Sequence, residues 1–343
     1  MMCSNRQSMS ILSLCLIQFF NLKKGESVNL LEIKGVYKCY NEKQKPKVYA
    51  VHNISLNIKK GEILGLVGES GCGKSTLGKM LLKLEQPTRG RIIFNRHDIT
   101  DYSFNQMRKI RNSMQMIFQG TANAFNPYFT VKQIISEPLN NYSSESAEEK
   151  EKKIVAMLEK VGLNHTYLTR YSQEMSGGQR QRVGIARALI LNPEFVVCDE
   201  AVSSIDYALK RQILTLLIDL KRQFDLTYLF ISHDISAVNK ICDRVVVMYL
   251  GNIMEIISGI NDKVQHPYTK ALLAATLVPD PKKRSKNMVL LREGEELKIP
   301  EKGCVFQNRC LYTQEVCKTK QPALVPHNDE HYIACHFCCK NRI

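Results

Sequence analysis

Three short stretches of this 343-residue chain carry residue types at spacings suited to chemistry on phosphates. Gly68-Glu69-Ser70-Gly71-Cys72-Gly73-Lys74-Ser75-Thr76 fits the spacing G-x-x-x-x-G-K-[S/T]. Its glycines let backbone N–H groups turn inward around a phosphate, and a following helix adds the positive end of its dipole. Lys74 can neutralise the β- and γ-phosphates, and the Ser75 hydroxyl can ligate Mg²⁺. The apolar run from Phe195 ends in Asp199 and Glu200. One carboxylate there can hold Mg²⁺ while its neighbour orients or deprotonates an attacking water. Ser176-Gly177-Gly178-Gln179 opens an expected helix and offers a second set of backbone N–H groups to an anion. One phosphate loop needs no second such site, so the economical reading assigns it to ATP bound on another subunit, in a head-to-tail dimer.

The elements that must position these stretches are legible. Strands are expected over Leu30–Tyr37, Val48–Ile58, Glu62–Val67, Phe195–Cys198 and Thr227–Ile231. The last three are apolar enough to be covered on both faces, as central parallel strands are. Helices are expected from Lys74 to about Leu84, over Ser146–Val161, from Gly178 to Leu191 before Asn192-Pro193, and from about Ile235. Such alternation implies an α/β fold with a mostly parallel sheet.

Met175-Ser-Gly-Gly-Gln179, continued by Arg-Gln-Arg-Val-Gly-Ile-Ala-Arg-Ala-Leu189, closely resembles the signature of ATP-binding-cassette (ABC) ATPases. A helix cap alone accounts for the serine and glycine but not for the whole run. The resemblance implies a P-loop cassette: a RecA-like parallel core, an antiparallel β subdomain and a helical subdomain near residues 120–185. It also implies roles. Gln119 resembles the glutamine that reaches metal and water, His233 the histidine that senses the γ-phosphate, and Asp206 a dimer-interface residue. His233 stands 33 residues past Glu200. Catalysis would thus fall to Glu200, His233, Gln119 and Lys74, and Mg²⁺ to Ser75, Gln119 and Asp199. Tyr40 is the candidate to stack on adenine, with Tyr49 its rival. Gly120, Ala201, Ile205 and Met175 depart from the family pattern without removing a catalytic group.

His266-Pro-Tyr-Thr-Lys-Ala-Leu-Leu273 and Thr227-Tyr-Leu-Phe-Ile-Ser-His-Asp234 look like the F-type ATP-binding subunit of oligopeptide and dipeptide importers. Three regions are then expected: an extension (1–28), the cassette (29–258) and a C-terminal region (259–343). The implied partners are a second, D-type ATPase, two transmembrane permeases and an external substrate-binding protein, with this chain at the cytoplasmic membrane face. Peptides are the favoured cargo, with nickel, a metal chelate or an opine as the alternative.

Six of the 12 cysteines fall in the last 40 residues. Cys304, Cys310, Cys317 and Cys335, spaced C-x₅-C-x₆-C-x₁₇-C, match this family's tail pattern and could hold Zn²⁺ or an iron–sulfur cluster. Those four contain no C-x-x-C pair, which weakens a zinc ribbon. The resemblance implies a [4Fe–4S] cluster; buried structural thiols are the alternative.

Composition bounds the rest. With 48 Lys+Arg against 33 Asp+Glu the net charge is +15, and 44% of residues are hydrophobic, ample for a core. The charge admits nucleic acid, phosphorylated small molecules or an anionic membrane as partners. A soluble cassette acting on nucleic acid is disfavoured, because the 102 residues from Lys74 to Ser176 leave no room for a long coiled-coil insertion. Ile11–Phe20 is too short for a span, which takes about 20 residues. It reads as part of a dispensable extension or as a signal-peptide core.

Overall fold

The computed structural model describes residues 28–40, 48–119, 125–203, 205–258, 264–275, 300–328 and 330–338. The Ile11–Phe20 stretch and Gly120 lie outside them.

β1 (Asn29–Cys39) and β2 (Tyr49–Lys59) form an antiparallel pair whose apolar residues alternate inward, and β3 (Ile63–Val67) follows, buried at every position. The chain then enters α1 (Lys74–Leu81). That helix stops short of the expected Leu84 because Lys83 takes a left-handed turn (φ 53°). β4 (Arg89–Phe94) and β5 (His97–Asp98) return to the first pair and complete a four-stranded antiparallel sheet in the order β2-β1-β4-β5. α2 (Phe104–Ile110) leads into β6 (Met114–Ile117).

Three helices follow: α3 (Val131–Tyr142), α4 (Ala147–Lys160) and α5 (Gly177–Leu189). Each starts with a reciprocal capping box, from Thr130, Ser146 and Ser176 respectively. The chain next alternates β7 (Phe195–Asp199), α6 (Tyr207–Phe224), β8 (Thr227–Ile231), α7 (Ile235–Ile241) and β9 (Arg244–Tyr249). β10 (Asn252–Ile257), α8 (Pro267–Ala274), α9 (Glu315–Thr319), β11 (Val325–Asn328) and β12 (His331–Ile333) close the chain.

The second sheet runs β11-β12-β10-β9-β3-β8-β7-β6. Its β9-β3-β8-β7-β6 part is parallel, as expected from the alternation. The strands β10, β12 and β11 extend it antiparallel, a feature not foreseen. The tail therefore adds strands to the cassette's own sheet across the boundary expected at 258/259. The carboxyl ends of β3, β7 and β8 lie side by side, which brings the loops after Val67, Asp199 and Ile231 together.

Candidate functional site

The loop between β3 and α1 is boxed in by backbone. A Cβ at Gly68 (φ 154°) would fall 2.2 Å from the Met248 carbonyl oxygen, and one at Gly73 (φ 103°) 1.9 Å from that of Ala50. Only glycine fits either position. Ser70 and Gly71 are exposed at the rim, and Ser75 and Thr76 are half-buried at the start of α1. Lys74 is buried, its ammonium donating to the Gly68 and Glu69 carbonyls at 2.9 Å each. The Cys72 side chain is buried, and burial pushes its thiol pKa up despite nearby Lys74. Its N–H donates to the Glu69 carbonyl (3.3 Å).

The two acids after β7 part ways. The Ser75 hydroxyl donates to Asp199 Oδ1 (2.9 Å). Burial pushes the Asp199 carboxyl above its usual range, opposed by that hydrogen bond. Glu200 sits at φ 47°, an uncommon conformation for a residue with a side chain, and its N–H is fixed by the Ile231 carbonyl (3.0 Å). Its carboxylate takes a hydrogen bond from Gln119 Nε2 (2.6 Å), with His233 Nδ1 3.3 Å away on the other oxygen. Gln119, Glu200 and His233 thus meet at one carboxylate, and Lys74, Ser75 and Asp199 gather beside α1. A serine hydroxyl facing a buried carboxylate is a hard-oxygen donor pair that fits Mg²⁺. Gln119, expected on the metal, donates its amide N–H to Glu200 in this structure.

Of the two tyrosines, Tyr40 is the one beside the loop. It is exposed, with its hydroxyl 3.3 Å from Thr76 Oγ1 and donating to Glu85 (2.7 Å). Tyr49 is tied edge-on to Tyr37 and His52.

Ser176 caps α5, with its hydroxyl accepting from the Gln179 N–H (3.3 Å). Gln179 Nε2 donates to the Tyr167 hydroxyl (2.8 Å). Ser176, Gly178 and Gln179 line an open hollow of about 650 Å³ that includes no residue of the phosphate loop. A Cβ at Gly178 would overlap Leu209, whereas one at Gly177 would meet nothing within 4 Å. Asp206 is exposed and caps α6, accepting from the Leu209 N–H (2.9 Å).

In the tail, Cys304, Cys310 and Cys317 are buried and Cys335 is half-buried. Burial, with repulsion from Cys317, Cys335 and Cys310, pushes the Cys304 thiol up to about 12. The four are neighbours, yet among the described residues no group of three or more His, Cys, Asp or Glu side chains is arranged to hold a metal. The iron–sulfur expectation is not borne out by this geometry. Cys338 stands beside them, at a C-x-x-C spacing from Cys335. Contact with Cys338 lowers Cys335, and the Cys338 thiol donates to the Gln265 carbonyl (3.3 Å).

Two residues at the phosphate loop were missed. The Tyr268 hydroxyl accepts the Glu69 N–H (3.0 Å), and Arg309 Nη1 reaches both Glu69 carboxylate oxygens (3.0 and 2.9 Å). His266-Pro267-Tyr268 held a signal for the first, since His266 caps α8, Pro267 fits its first turn and the pair aims Tyr268. Arg309 carried none.

Comparison with known proteins accords with this geometry. Residues 51–203 match the model of the ABC transporter family, and residues 255–317 match the oligopeptide/dipeptide transporter C-terminal region. The chain is 42% identical over 321 residues to the oligopeptide transport ATP-binding protein AppF of Bacillus subtilis, covering 90% of this chain and 97% of that one. It is 42% identical over 319 residues to OppF of Haemophilus influenzae, covering 89% and 96%. Among solved structures, the dimeric post-hydrolysis state of the ATP-binding cassette MJ0796 bound to ADP and Pi resembles it with a TM-score of 0.61 at 28% identity. That match covers 66% of this chain and 98% of the cassette.

Proposed function

We propose, since this chain belongs to the ABC transporter ATP-binding proteins that carry the oligopeptide/dipeptide C-terminal region, that it powers the import of short peptides through a membrane permease. As a member of that family it is an ATPase. The observation that carries the catalytic reading is Glu200, held between Gln119 and His233 beside the Ser75–Asp199 pair.

In this reading the loop over Gly68–Thr76 binds the phosphates, and Lys74 offsets their charge. Tyr40 stacks on the adenine. Ser75 and Asp199, with Gln119, would hold Mg²⁺, which would supply charge neutralisation at the phosphates. Gln119 and His233 hold the Glu200 carboxylate at fixed orientation, and Glu200 takes the proton from the attacking water. Ser176, Gly177, Gly178 and Gln179 serve the ATP of a second subunit, and Asp206 lies at that interface. The separation of the Ser176 hollow from the chain's own phosphate loop supports this.

The cassette comprises residues 29–258, and 259–343 form the importer-specific region. The second subunit is a D-type ATPase, and both dock under two permeases fed by an external binding protein. Among the described residues no helix is long and apolar enough to cross a membrane, so the location we favour is peripheral, through the permeases. The neighbouring thiols at Cys304, Cys310, Cys317 and Cys335, with the family resemblance, support a [4Fe–4S] cluster or Zn²⁺ in the tail. Anaerobically purified protein should carry iron or zinc, and its absence removes the metal.

The function is tested by co-purification and transport. Tagged protein drawn from detergent-solubilised membranes should bring down two permeases and a second ATPase. Vesicles rebuilt from that complex, with the binding protein, should accumulate labelled oligopeptide only with ATP. Accumulation of nickel but no peptide would reassign the cargo, and a chain recovered alone would sink the importer reading.

A further inference from the structure

We propose that Arg309 is a positioning residue for ATP: through Glu69, the C-terminal region holds the phosphate-binding loop ready for nucleotide. The inference rests on reading Gly68–Thr76 as the phosphate cradle.

Glu69 lies on the rim of that loop, 240 residues from Arg309 in sequence, and is gripped twice from the tail side. Arg309 Nη1 contacts both carboxylate oxygens, at 3.0 and 2.9 Å, with side-chain exposures of 19% for Arg309 and 33% for Glu69. Pairs this sheltered are less screened than surface ones. Tyr268 accepts the Glu69 backbone N–H at 3.0 Å, so side chain and backbone of one loop residue are both fixed from outside the loop.

The grip is itself braced. The Arg309 guanidinium lies 5.6 Å from the centroid of the Tyr249 ring and 3.4 Å from its hydroxyl. Tyr249 and Tyr268 pack with ring centroids 4.7 Å apart, and Phe306 stands edge-on to both at 5.3 and 5.4 Å. Phe306 also fixes the Arg309 backbone, its carbonyl accepting the Arg309 N–H (3.2 Å). Tyr249 ends β9, Tyr268 belongs to α8, and Phe306 and Arg309 come from the cysteine-rich tail. Three separate segments thus converge on a loop that β3 and α1 alone would leave open on this side.

Two physical effects then act in one direction. A loop already ordered loses less conformational entropy when ATP binds. Glu69 is also an anion at the mouth of a polyphosphate site, and Arg309 neutralises it before it can repel the ligand. Both raise affinity for ATP, and neither acts on the bond being broken. Loss of Arg309 should therefore appear in binding and in KM, not in kcat at saturating ATP.

The test uses the full chain with Mg²⁺ and ATP, measuring ATP dissociation by equilibrium dialysis, steady-state hydrolysis and melting temperature. Arg309→Ala should weaken ATP binding about tenfold and raise KM in step, with kcat within about twofold. Arg309→Lys, which keeps the charge but not the planar guanidinium beside Tyr249, should recover part of the affinity. In a double-mutant cycle, Arg309→Ala with Glu69→Gln should be no worse than the poorer single variant, because each removes the same contact. Additive losses, or ATP affinity within twofold of the parent in Arg309→Ala whatever happens to its melting temperature, would overturn the proposal. If Arg309→Ala does not fold, Tyr268→Phe removes only the acceptor of the Glu69 N–H and should still weaken ATP severalfold; unchanged affinity there overturns it equally. Lys74→Ala separates the premise from the inference. Wild-type affinity in that variant would sink the phosphate-cradle reading itself, whereas loss of binding in Lys74→Ala with none in Arg309→Ala would sink only the role of Arg309.

Discussion

The phosphate loop and the start of α5 are both glycine-bearing turns into a helix, but one is enclosed and the other open. Around Gly68 and Gly73 the backbone of β2 and β9 leaves no room for a Cβ, and Tyr268 and Arg309 close the Glu69 side. At α5, Ser176 and Gly177 are exposed, and a Cβ on Gly177 would touch nothing in this chain. The first region is closed by this chain's own backbone and tail. The second has the N–H groups and dipole of an anion site on an open hollow, as half of a site shared with a second subunit would.

The sharpest test of that contrast is Glu200→Gln. The amide cannot take a proton from water, so hydrolysis should fall on the order of a hundredfold or more while ATP binding persists. If the open region completes a second subunit's site, the unhydrolysed ATP should also hold two chains together, visible as a dimer in size-exclusion chromatography. Normal turnover in this variant would remove Glu200 from the mechanism, and a monomer with ATP bound would count against the half-site.

Gly177→Ala probes the open region directly. The chain itself has space for the methyl group, and alanine favours a helix start no less than glycine does. The melting temperature should hold or rise, while hydrolysis by the assembled complex falls on the order of tenfold or more through displacement of the neighbouring subunit's ATP. Unchanged hydrolysis would mean that nothing approaches Gly177. The adjacent Gly178→Ala should behave in the opposite sense. Its methyl group would come within 2.3 Å of Leu209, so the isolated chain should lose about 1–2 kcal/mol of stability as Leu209 shifts. A measured loss under a few tenths of a kcal/mol would mean that α5 and α6 have more slack than their packing indicates.

How far the sequence foretold each region follows from the range of the contacts involved. The phosphate loop, the acids ending β7 and the capped start of α5 are local patterns; the first lies between a strand and a helix, the second at a strand end and the third at a helix start, as expected. The resemblance singled out Gln119 and His233 but not their meeting at Glu200, which the neighbouring parallel strands bring about. The grip on Glu69 was not legible, because it joins residues 240 apart in sequence and nothing local to Arg309 marks its partner. The joining of β12 to β10 was equally hidden, since His331–Ile333 is three residues long, too short for a period of two to show in the sequence. The tail cysteines are the opposite case: their spacing is a local pattern, yet among the described residues they are not arranged as a metal-holding group.

The smallest expected effect concerns what an enclosed site costs the protein that holds it. Burial lifts the Asp199 carboxyl above its ordinary range, and the charge on Glu200 adds to the lift, against the Ser75 hydrogen bond. Without nucleotide, the folded chain keeps that proton at a pH where the unfolded chain has released it. Stability from this group is therefore lost as pH rises from the ordinary carboxylate range through the raised one. Once ionised, the carboxylate carries a burial penalty that the Ser75 hydrogen bond, Lys79 and Lys74 offset in part and a bound cation would offset further. Asp199→Asn removes the charge and keeps the shape, so the nucleotide-free variant should melt about 2–4 °C higher at pH 7, the shift expected for roughly 1 kcal/mol in a domain of this size. That gain should vanish near pH 4, and Mg²⁺-dependent hydrolysis should be lost at every pH. A variant that melts lower than its parent at pH 7 would mean that Lys74 and Lys79 already stabilise the Asp199 charge, and that the enclosed site carries no such strain.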